Sequence, residues 1–462
     1  MSTFLSVLLD LRRAERGGHE AIATRQRRRL AEIVEFARTG SPYYRRLYEG
    51  LPDTVGDPSL LPVTDKATLM ASFDEWATDA DITIDKARSF AADSSLIGER
   101  FLGRYTLATT SGTTGTPGIF VSDDDAMRTT TAIMMRMLRS WLGVGDMTAI
   151  AMAGGRLSMV ADVGHHSATS VAAARFTRSP ARRERVQILS VRSPLSELVE
   201  QLNAFEPAVV APYASMARLL ASEQEAGRLH IRPVLMALAA EGLPLPEYER
   251  IAKAFDTTVG NSYAATECPF LSFSCSSNWL HVNADWVVIE PVDRNYRPVA
   301  AGTESYTVLI TNLANRLQPI IRYDLGDSIL MRPDPCECGS TLPAIRVRGR
   351  SADVLMFTTD GGGRVAVPPL AFEIDHLPGI ELFQIVQTTP RSIDVRLSVK
   401  GGADVGDTWS TVDSELKGIL AKHGLGGVSV NHASEPPQQS PGGKFRTVIP
   451  LRADSGSQGH LA

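Results

Sequence analysis

The residues best suited to chemistry lie in a short run rich in glycine and threonine. It reads Thr-Thr-Ser-Gly-Thr-Thr-Gly-Thr-Pro-Gly over residues 109–118. Small residues let the backbone approach a phosphate chain closely, and hydroxyls with free N–H groups supply several hydrogen-bond donors to it. The composition alone is equally typical of a flexible connection. No Lys-Ser/Thr pair follows the last glycine, so a kinase or GTPase with the common nucleotide P-loop is disfavoured.

Four more segments place polar side chains beside turn-forming residues. In chain order they are YAATE at 263–267, RYDLGD at 322–327, GRSAD at 349–353 and PGGKFR at 441–446. A carboxylate and a hydroxyl, as in the first segment, are ligands suited to a hard cation that bridges phosphates. Taken singly, each segment is more often an ordinary turn or a capping pair. Their number and order are what give them weight.

The five segments together resemble the signatures of the adenylate-forming (acyl-AMP) enzymes, in the phenylacetate–CoA ligase-like branch. The resemblance covers roughly residues 25–450. It implies ATP-dependent activation of a carboxylic acid to acyl-AMP, with pyrophosphate release, and then acyl transfer to CoA or another nucleophile. The branch suggests an aryl or heteroaryl acid. Positioning and charge neutralisation dominate such a phosphoryl reaction, and no covalent enzyme intermediate is needed.

The resemblance also implies roles for individual residues. Lys444 would bridge the carboxylate oxygen and the α-phosphate, Thr266 would lie at the α-phosphate, and Glu267 would hold Mg²⁺. Asp327 would accept hydrogen bonds from the ribose hydroxyls. The remaining expected nucleotide contacts are Thr110, Ser111, Gly112, Thr113, Thr114, Gly115, Glu241, Gly242, Tyr263 and Arg350.

Several positions depart from the family pattern. The phosphate run has Thr116 and Pro117 where the family often has a lysine, and Ala264 replaces a glycine. Ala352 stands where the family has the aspartate about which its small domain pivots, and the stretch 358–367 (TTDGGGRVAV) differs from the loop expected near CoA. The acceptor is therefore left open among CoA, an amine and a hydroxyl.

Pocket candidates for the acid lie at the ends of predicted strands. Ligand sites favour the carboxyl edge of a parallel sheet. Tyr213 and Ala240 follow such strands, and Ala240 to Gly242 is also the segment that the family uses for adenine. His165 and His166 occupy the place where the family begins its acyl pocket, although a surface and a core histidine would look the same.

The cysteines suggest a structural metal. Cys336 and Cys338 form a Cys-x-Cys-Gly knuckle, and Cys275 precedes His281 by six positions. Many members of the branch combine these two elements, so a tetrahedral Zn²⁺ on these four residues is expected. Cys268 could replace His281 as a ligand, and buried cysteines without a metal are the alternative.

The pattern of apolar residues predicts an α/β protein. The region 100–265 alternates strands with helices, which favours mainly parallel sheet, and an antiparallel subdomain follows. The expected domains are a large N-terminal adenylation domain at 1–349, a small mobile α+β domain at 350–453 and a disordered tail at 454–462. Predicted strands include Met147–Met152, Ala208–Ala211, Val234–Ala240, Thr257–Val259 and His281–Glu290.

Composition narrows the class further. The 462 residues are 43% hydrophobic and 21% charged, with a net charge of -5 and interleaved signs, which argues against a nucleic-acid partner. No apolar run reaches the length of about 18 residues that spans a bilayer, and four cysteines indicate a reducing cytoplasm. The sequence leaves a homodimer open. A catalytically degenerate nucleotide-binding partner protein is the alternative from another class.

Overall fold

The computed structural model describes residues 3–110, 118–161, 163–239, 242–350, 355–367, 369–372, 374, 377–438 and 445–451, without the side chains at 181, 350, 366, 369 and 370. These residues form two compact units. The first contains the chain up to 325 together with 329–347, and the second contains 326–328 and most of the chain from 348 onward. The predicted tail 454–462 lies outside the described residues.

The first unit begins with helices. They are α1 (Phe4–Arg16), α2 (Gly18–Gly40), α3 (Pro42–Leu47), α4 (Lys66–Ala71), α5 (Phe73–Trp76) and α6 (Ile84–Ala92). The apolar face that helical spacing predicts for α2 is buried in the core, at Leu30, Ile33, Val34 and Ala37. Asp65 ends the preceding loop and caps α4, because its Oδ1 accepts a hydrogen bond from Thr68 N–H at 2.8 Å.

A hairpin and two helices follow: β1 (Thr106–Thr109), β2 (Ile119–Ser122), α7 (Asp124–Trp141) and α8 (Val144–Met152). The predicted strand Met147–Met152 is wrong, since these residues form the end of α8. The Asp146 side chain accepts from Gly143 N–H at 2.8 Å and so closes the first turn, and alanine and methionine favour a helix once it has started. The run of apolar residues suggested a buried strand, whereas α8 buries none of them.

The next region supplies the parallel sheet. Its elements are β3 (Leu157–Ala161), α9 (Ala168–Phe176), α10 (Pro180–Arg183), β4 (Val186–Ser190), α11 (Leu195–Phe205), β5 (Val209–Pro212), α12 (Ala214–Glu225), β6 (Leu235–Ala239), α13 (Leu245–Phe255) and β7 (Thr258–Tyr263). Five parallel strands lie in the order β4-β3-β5-β6-β7. Their carboxyl ends therefore meet at one edge, where ligands bind in sheets of this kind.

Antiparallel strands complete the first unit and lead into the second. They are β8 (Ser272–Ser274), β9 (Leu280–Val282), β10 (Val287–Val292), β11 (Thr307–Asn312), β12 (Tyr323–Asp324), β13 (Asp327–Met331) and β14 (Ala344–Arg350). The parallel strands continue through β8, β9, β14 and β13 into one nine-stranded sheet, while β10, β11 and β12 form a separate sheet. The predicted strand His281–Glu290 is divided into β9 and β10, because a tight turn intervenes in which Trp286 N–H donates to Asn283 O at 2.8 Å.

The second unit is a small α+β body. It contains β15 (Leu355–Thr358), β16 (Arg364–Val367), β17 (Ile380–Thr389), β18 (Ser392–Val399), α14 (Val405–Lys422), β19 (Ser429–His432) and β20 (Val448–Ile449). Four strands pair in the order β19-β18-β17-β20, and α14 packs its buried face on them. The mixed α/β fold class is confirmed. In the described part of the chain, no helix combines the length and the apolar character that crossing a membrane requires.

Candidate active site

The Gly/Thr run connects β1 to β2. Thr110 N–H donates to Gly118 O at 2.9 Å, and Thr110 Oγ1 accepts from Gly118 N–H at 2.8 Å. Val121 on β2 is fully buried and donates its N–H to Gln318 Oε1 at 2.6 Å. These bonds fix the two ends of the run. The predicted phosphate contacts Ser111, Gly112, Thr113, Thr114 and Gly115 lie outside the described residues.

A lysine that sequence reasoning missed lies beside this hairpin. Lys66 is the first residue of α4, and a methyl group placed on Gly118 would come within 3.2 Å of Lys66 Cδ. The structure therefore brings the Lys66 side chain to the end of the predicted phosphate-binding run, which has no lysine of its own. Fifty-two residues separate the two positions in the sequence, so only the fold shows that they meet.

Glu267, the predicted Mg²⁺ ligand, follows the end of β7 and is buried, with 8% of its surface exposed. Tyr323 on β12 donates its hydroxyl to Glu267 Oε1 at 3.0 Å. The side-chain amide of Asn312 donates to the Glu267 backbone carbonyl at 3.1 Å. Backbone and carboxylate are thus both fixed in place. Thr266, beside it, is half-buried.

The surroundings of Glu267 have perturbed acid–base properties. Burial, and then the neighbouring Glu267 carboxylate, raise the pKa of Tyr323 well above its ordinary value. Burial, with a smaller effect of Glu267, also raises the pKa of Cys268 far above its usual range. Tyr323 therefore stays protonated and remains a donor to Glu267, and Cys268 is a neutral thiol behind the carboxylate.

The motif at 322–327 contains Arg322, which has a structural role, and the buried Asp327. The Arg322 guanidinium pairs with Glu290 at 3.0 Å and donates to Leu61 O at 2.6 Å, so it fixes the loop before α4. Burial raises the pKa of Glu290 despite the opposing charge of Arg322. Asp327, the expected ribose ligand, is the first residue of β13 and is 8% exposed.

The carboxyl edge of the parallel sheet holds the remaining predicted pocket residues that the structure describes. Tyr213 lies between β5 and α12, is buried, and forms a bridge with Ala239 at the end of β6. Gly242 is exposed just before α13, and Tyr263 is half-buried at the end of β7. The predicted contacts Ala240 and Glu241 lie outside the described residues.

Two further residues at this edge have no counterpart in the sequence predictions. Tyr248 on α13 accepts hydrogen bonds from Leu243 N–H at 3.1 Å and from Asn261 Nδ2 at 2.8 Å. Asn261 Oδ1 is buried and has no hydrogen-bond partner among the described residues. A buried acceptor without a partner is costly. Asn261 lies two positions before Tyr263 on β7.

The two histidines predicted for the acid pocket differ in their environments. His166 is buried, its Nε2 lies 3.0 Å from Asp93 O, and its ring packs against Phe90 with centroids 5.2 Å apart. Its carbonyl accepts from Thr109 N–H at 2.6 Å, which ties this segment to β1. His165 is exposed. Of the pair, His165 is therefore the side chain open to solvent, and His166 anchors the segment.

The predicted metal ligands lie close together in the antiparallel part of the nine-stranded sheet. The ligand atoms of Cys275, His281, Cys336 and Cys338 all lie within 4.8 Å of one another. Cys275 Sγ is 3.7 Å from Cys336 Sγ, and His281 Nε2 is 3.1 Å from Cys338 Sγ. Cys268 does not belong to this group.

The geometry of this cluster suits a tetrahedral ion. With usual zinc bond lengths, ligand atoms would be about 3.8 Å apart for two sulfurs and about 3.5 Å apart for sulfur and nitrogen. His281 Nδ1 lies 2.8 Å from Leu342 O, so its proton is held there and Nε2 is left to coordinate. Burial and the thiols of Cys336 and Cys275 raise the pKa of Cys338 to about 12. A bound cation would stabilise the thiolates that burial disfavours.

Comparisons with known proteins agree on the fold. No family model and no curated protein matches the chain. A solved structure of 2-hydroxyisobutyryl-CoA ligase, in the postadenylation state with 2-HIB-AMP, aligns with a TM-score of 0.65 and 21% identity over 94% of this chain and 90% of that one. ATP-bound MatB from Rhodopseudomonas palustris aligns with a TM-score of 0.50 and 15% identity over 73% of this chain and 66% of that one. The chain has the fold of the adenylate-forming ligases.

Two residues with predicted roles in adenylation, Arg350 and Lys444, have no described side chain. Arg350 is the last residue of β14, but its side chain is not among those described, and Lys444 lies outside the described residues altogether. The departure noted at Ala352 lies there as well. The roles of Arg350 and Lys444 therefore stay predictions, based on the family resemblance of the sequence.

Proposed function

We propose that the chain uses ATP to convert a carboxylic acid to its acyl-AMP, releasing pyrophosphate, and then transfers the acyl group to CoA or another nucleophile. The observation that carries this proposal is Glu267, buried and oriented by Tyr323 and Asn312 at the end of β7 in an adenylate-forming fold. The 2-hydroxyisobutyryl-CoA ligase structure with this fold holds an acyl-AMP.

The phosphate chain of ATP would bind between the β1–β2 hairpin and Glu267. Thr110 and the run after it would donate hydrogen bonds, and Lys66 would add a positive charge at the end of the hairpin. Glu267 would be the protein ligand of Mg²⁺, which neutralises phosphate charge when bound. Lys444 would neutralise the charge that develops as the acid oxygen attacks the α-phosphate.

Base, ribose and acid would bind along the carboxyl edge of the sheet. Tyr263 would pack near the base, whose edge would meet the segment containing Glu241 and Gly242, while Asp327 and Arg350 would contact the ribose. Tyr213, Ala240, His165 and His166 are the proposed acid-pocket residues. The burial of Tyr213 and His166 and the exposure of His165 support a pocket in which His165 reaches the substrate.

We propose CoA as the acceptor to test first. In support, a structure of 2-hydroxyisobutyryl-CoA ligase in an open conformation, with a TM-score of 0.56 to this chain, contains both 2-HIB-AMP and CoA. Because Ala352 and the stretch 358–367 depart from the family pattern, an amine or a hydroxyl is the competing acceptor. The aryl or heteroaryl acid is likewise a proposal, based on the branch that the sequence resembles.

The cluster of Cys275, His281, Cys336 and Cys338 would hold a structural Zn²⁺. Four protein ligands close the coordination sphere, which is typical of structural sites and leaves no position for substrate. The ion would tie the β8–β9 region to the loop before β14. The cytoplasm is the proposed location because metal-bound and free thiols persist there. A homodimer stays a prediction that size-exclusion chromatography with light scattering can check.

The proposal is tested by measuring pyrophosphate release from ATP with a panel of acids, each with and without CoA. The panel contains benzoate- and phenylacetate-type acids, heteroaryl acids and 2-hydroxyisobutyrate. We expect release with one class of acid and, with CoA present, the corresponding thioester by mass spectrometry. Acyl-AMP without thioester would direct the search to amines and hydroxyls. ATP binding without release for any acid would favour the nucleotide-binding partner protein instead.

A further inference from the structure

The carboxyl-terminal ends of α1 and α7 border a cavity of about 370 Å³. The two helices pack on each other through a small buried apolar cluster. Beyond that cluster they end in charged residues, and the cavity is lined by Arg12, Glu15, Arg16 and Arg139. None of these four residues belongs to the proposed ATP and acid contacts or to the Cys/His cluster. The proposed function therefore gives the cavity no role.

Ion pairs fix one side of this cavity. The Glu15 carboxylate pairs with Arg136 at 2.9 Å and with Arg139 at 2.5 Å. Arg136 is buried, and its guanidinium also pairs with the buried Asp285 at 2.8 Å. The carboxylate of Glu15 is thus held in place by two partners on α7, and both of its oxygens are in use before any ligand binds.

Arg12 and Arg16 are the two arginines of the cavity that lack such a partner. In the part of the chain that the structure describes, their guanidinium groups take part in no ion pair and no hydrogen bond. They are four positions apart on α1, so both project from one face of the helix, where like charges repel. The helix dipole favours basic residues in the last turn of α1, which accounts for Arg13 and Arg16, but Arg12 lies before that turn.

The charges around the cavity leave a positive excess. The single carboxylate of Glu15 faces three lining arginines, while Arg136 behind it is balanced by Asp285. The ends of the two helices contribute about half a negative charge each. Because the arginines exceed the carboxylate by two charges, the cavity stays positive when both helix dipoles are included. A bound anion would balance this charge and relieve the repulsion between Arg12 and Arg16.

We propose that the cavity binds a phosphate group, free or at the end of a small phosphate ester, between Arg12 and Arg16. A guanidinium donates two parallel N–H groups to an oxyanion. A carboxylate has two oxygens and can pair in this way with one guanidinium, whereas a phosphate has enough oxygens for both. This second site does not depend on the proposed use of ATP.

The test measures binding of inorganic phosphate, glycerol 3-phosphate and acetate to the full chain by calorimetry, without ATP. We expect both phosphates to bind and acetate to bind more weakly; tighter binding of the ester would assign the site to phosphate esters, and equal binding to the free ion. Arg12→Ala and Arg16→Ala should each lower phosphate affinity about tenfold, as the loss of a hydrogen bond to a charged group would give. Arg12→Lys should recover only part of the loss, because lysine keeps the charge without the paired donors.

Arg13→Ala is the matched control, because Arg13 is exposed next to Arg12 on α1 but does not line the cavity. It removes the same charge and should leave phosphate affinity nearly unchanged, and thermal melting checks that each variant folds. An equal loss in Arg13→Ala would mean that phosphate responds only to the total charge. That result, unchanged affinity in Arg12→Ala and Arg16→Ala, acetate binding as tight as that of phosphate, or a wild type that binds no phosphate would each overturn the inference. Acid-dependent pyrophosphate release tests the proposed function independently.

Discussion

At the scale of single residues, the proposed chemistry depends on groups fixed before any substrate binds. Glu267 carries an acidic side chain in a buried place, and its orientation comes from Tyr323 on another sheet. A hydrogen bond from a protonated phenol stabilises the ionised carboxylate in the geometry that a metal ligand needs. Lys66 approaches the phosphate run from α4. Tyr323 and Lys66 can each be substituted without changing a residue that is predicted to be catalytic.

Tyr323→Phe should weaken the use of Mg²⁺. Losing a hydrogen bond to a charged group costs about 1.5–3 kcal/mol, so we expect at least a tenfold rise in the Mg²⁺ concentration that half-saturates pyrophosphate release. The measurement is a Mg²⁺ titration at saturating ATP. Tyr296→Phe is the control, since Tyr296 also donates to a carboxylate, Asp324 Oδ2 at 3.0 Å, but is exposed. An unaltered Mg²⁺ requirement in Tyr323→Phe would show that Tyr323 has no part in orienting Glu267.

Lys66→Ala should raise the KM for ATP by about tenfold, because a charge near the phosphates is lost. Lys66→Arg should recover part of the loss, since the charge is kept. Lys86→Ala provides the comparison, because Lys86 is exposed and its Nζ donates to Asp81 O at 3.0 Å. The KM is read from initial rates of pyrophosphate release. Equal KM values in Lys66→Ala and wild type would exclude a phosphate role for Lys66.

The sequence predicted the motif residues but not their partners. Glu267 and Asp327 could be named because each lies in a short segment with a recognisable pattern. Tyr323 lies 56 residues from Glu267, and the Tyr248–Asn261 bond joins a helix to a strand. Such contacts depend on how the elements pack, which spacing along one chain does not contain. The four residues of the Cys/His cluster could be named because both pairs lie in recognisable local motifs.

At the scale of secondary-structure elements, the sheet edge depends on close packing behind β7. A methyl group placed on Gly260 would come within 2.3 Å of the Trp141 ring, so the glycine gives α7 its close approach to β7. Trp141 Nε1 also donates to Ser274 O at 2.8 Å, on β8. The sequence predicted β5 and β6 well, because each is a short apolar run that is largely buried in the sheet. It failed at α8, which buries none of its apolar residues.

Gly260→Ala should destabilise the first unit. Overpacking of a filled core costs about 1–3 kcal/mol, so a clear fall in melting temperature is expected. Gly56→Ala, at a glycine with open space around it, should melt like the wild type. In Gly260→Ala/Trp141→Ala the two effects should be less than additive, because the clash is gone. Additive losses in calorimetry would mean that Gly260 and Trp141 do not constrain each other.

The metal cluster gives a second prediction at this scale. Purified protein should contain one zinc per chain by plasma emission spectrometry, and a chelator should lower the melting temperature because the ion stabilises only the folded state. Cys336→Ser should lose the zinc. Cys268→Ser should retain it, since Cys268 lies outside the cluster. Zinc lost in Cys268→Ser but kept in Cys336→Ser would refute the assignment of ligands.

At the scale of the whole molecule, one large sheet carries the proposed site and the metal cluster at different places. The parallel strands present the site at their carboxyl edge, and the antiparallel extension holds the cluster. Helix α1 is fixed to the rest of the first unit by Arg136 on α7, whose guanidinium pairs with Glu15 at 2.9 Å and with the buried Asp285 at 2.8 Å. The same unit holds the hairpin, Glu267, Lys66 and the sheet edge that is proposed to bind the base.

Adenylation by this chain is tested by acid-dependent exchange of labelled pyrophosphate into ATP. Exchange reports reversible acyl-AMP formation and needs no acceptor, so it does not depend on whether CoA is used. We expect exchange with one class of acid in the wild type and a loss of at least a hundredfold in Glu267→Gln, as is typical when a charge-stabilising group is removed. Exchange at the wild-type rate in Glu267→Gln, or none in the wild type with any acid despite ATP binding, would contradict the account.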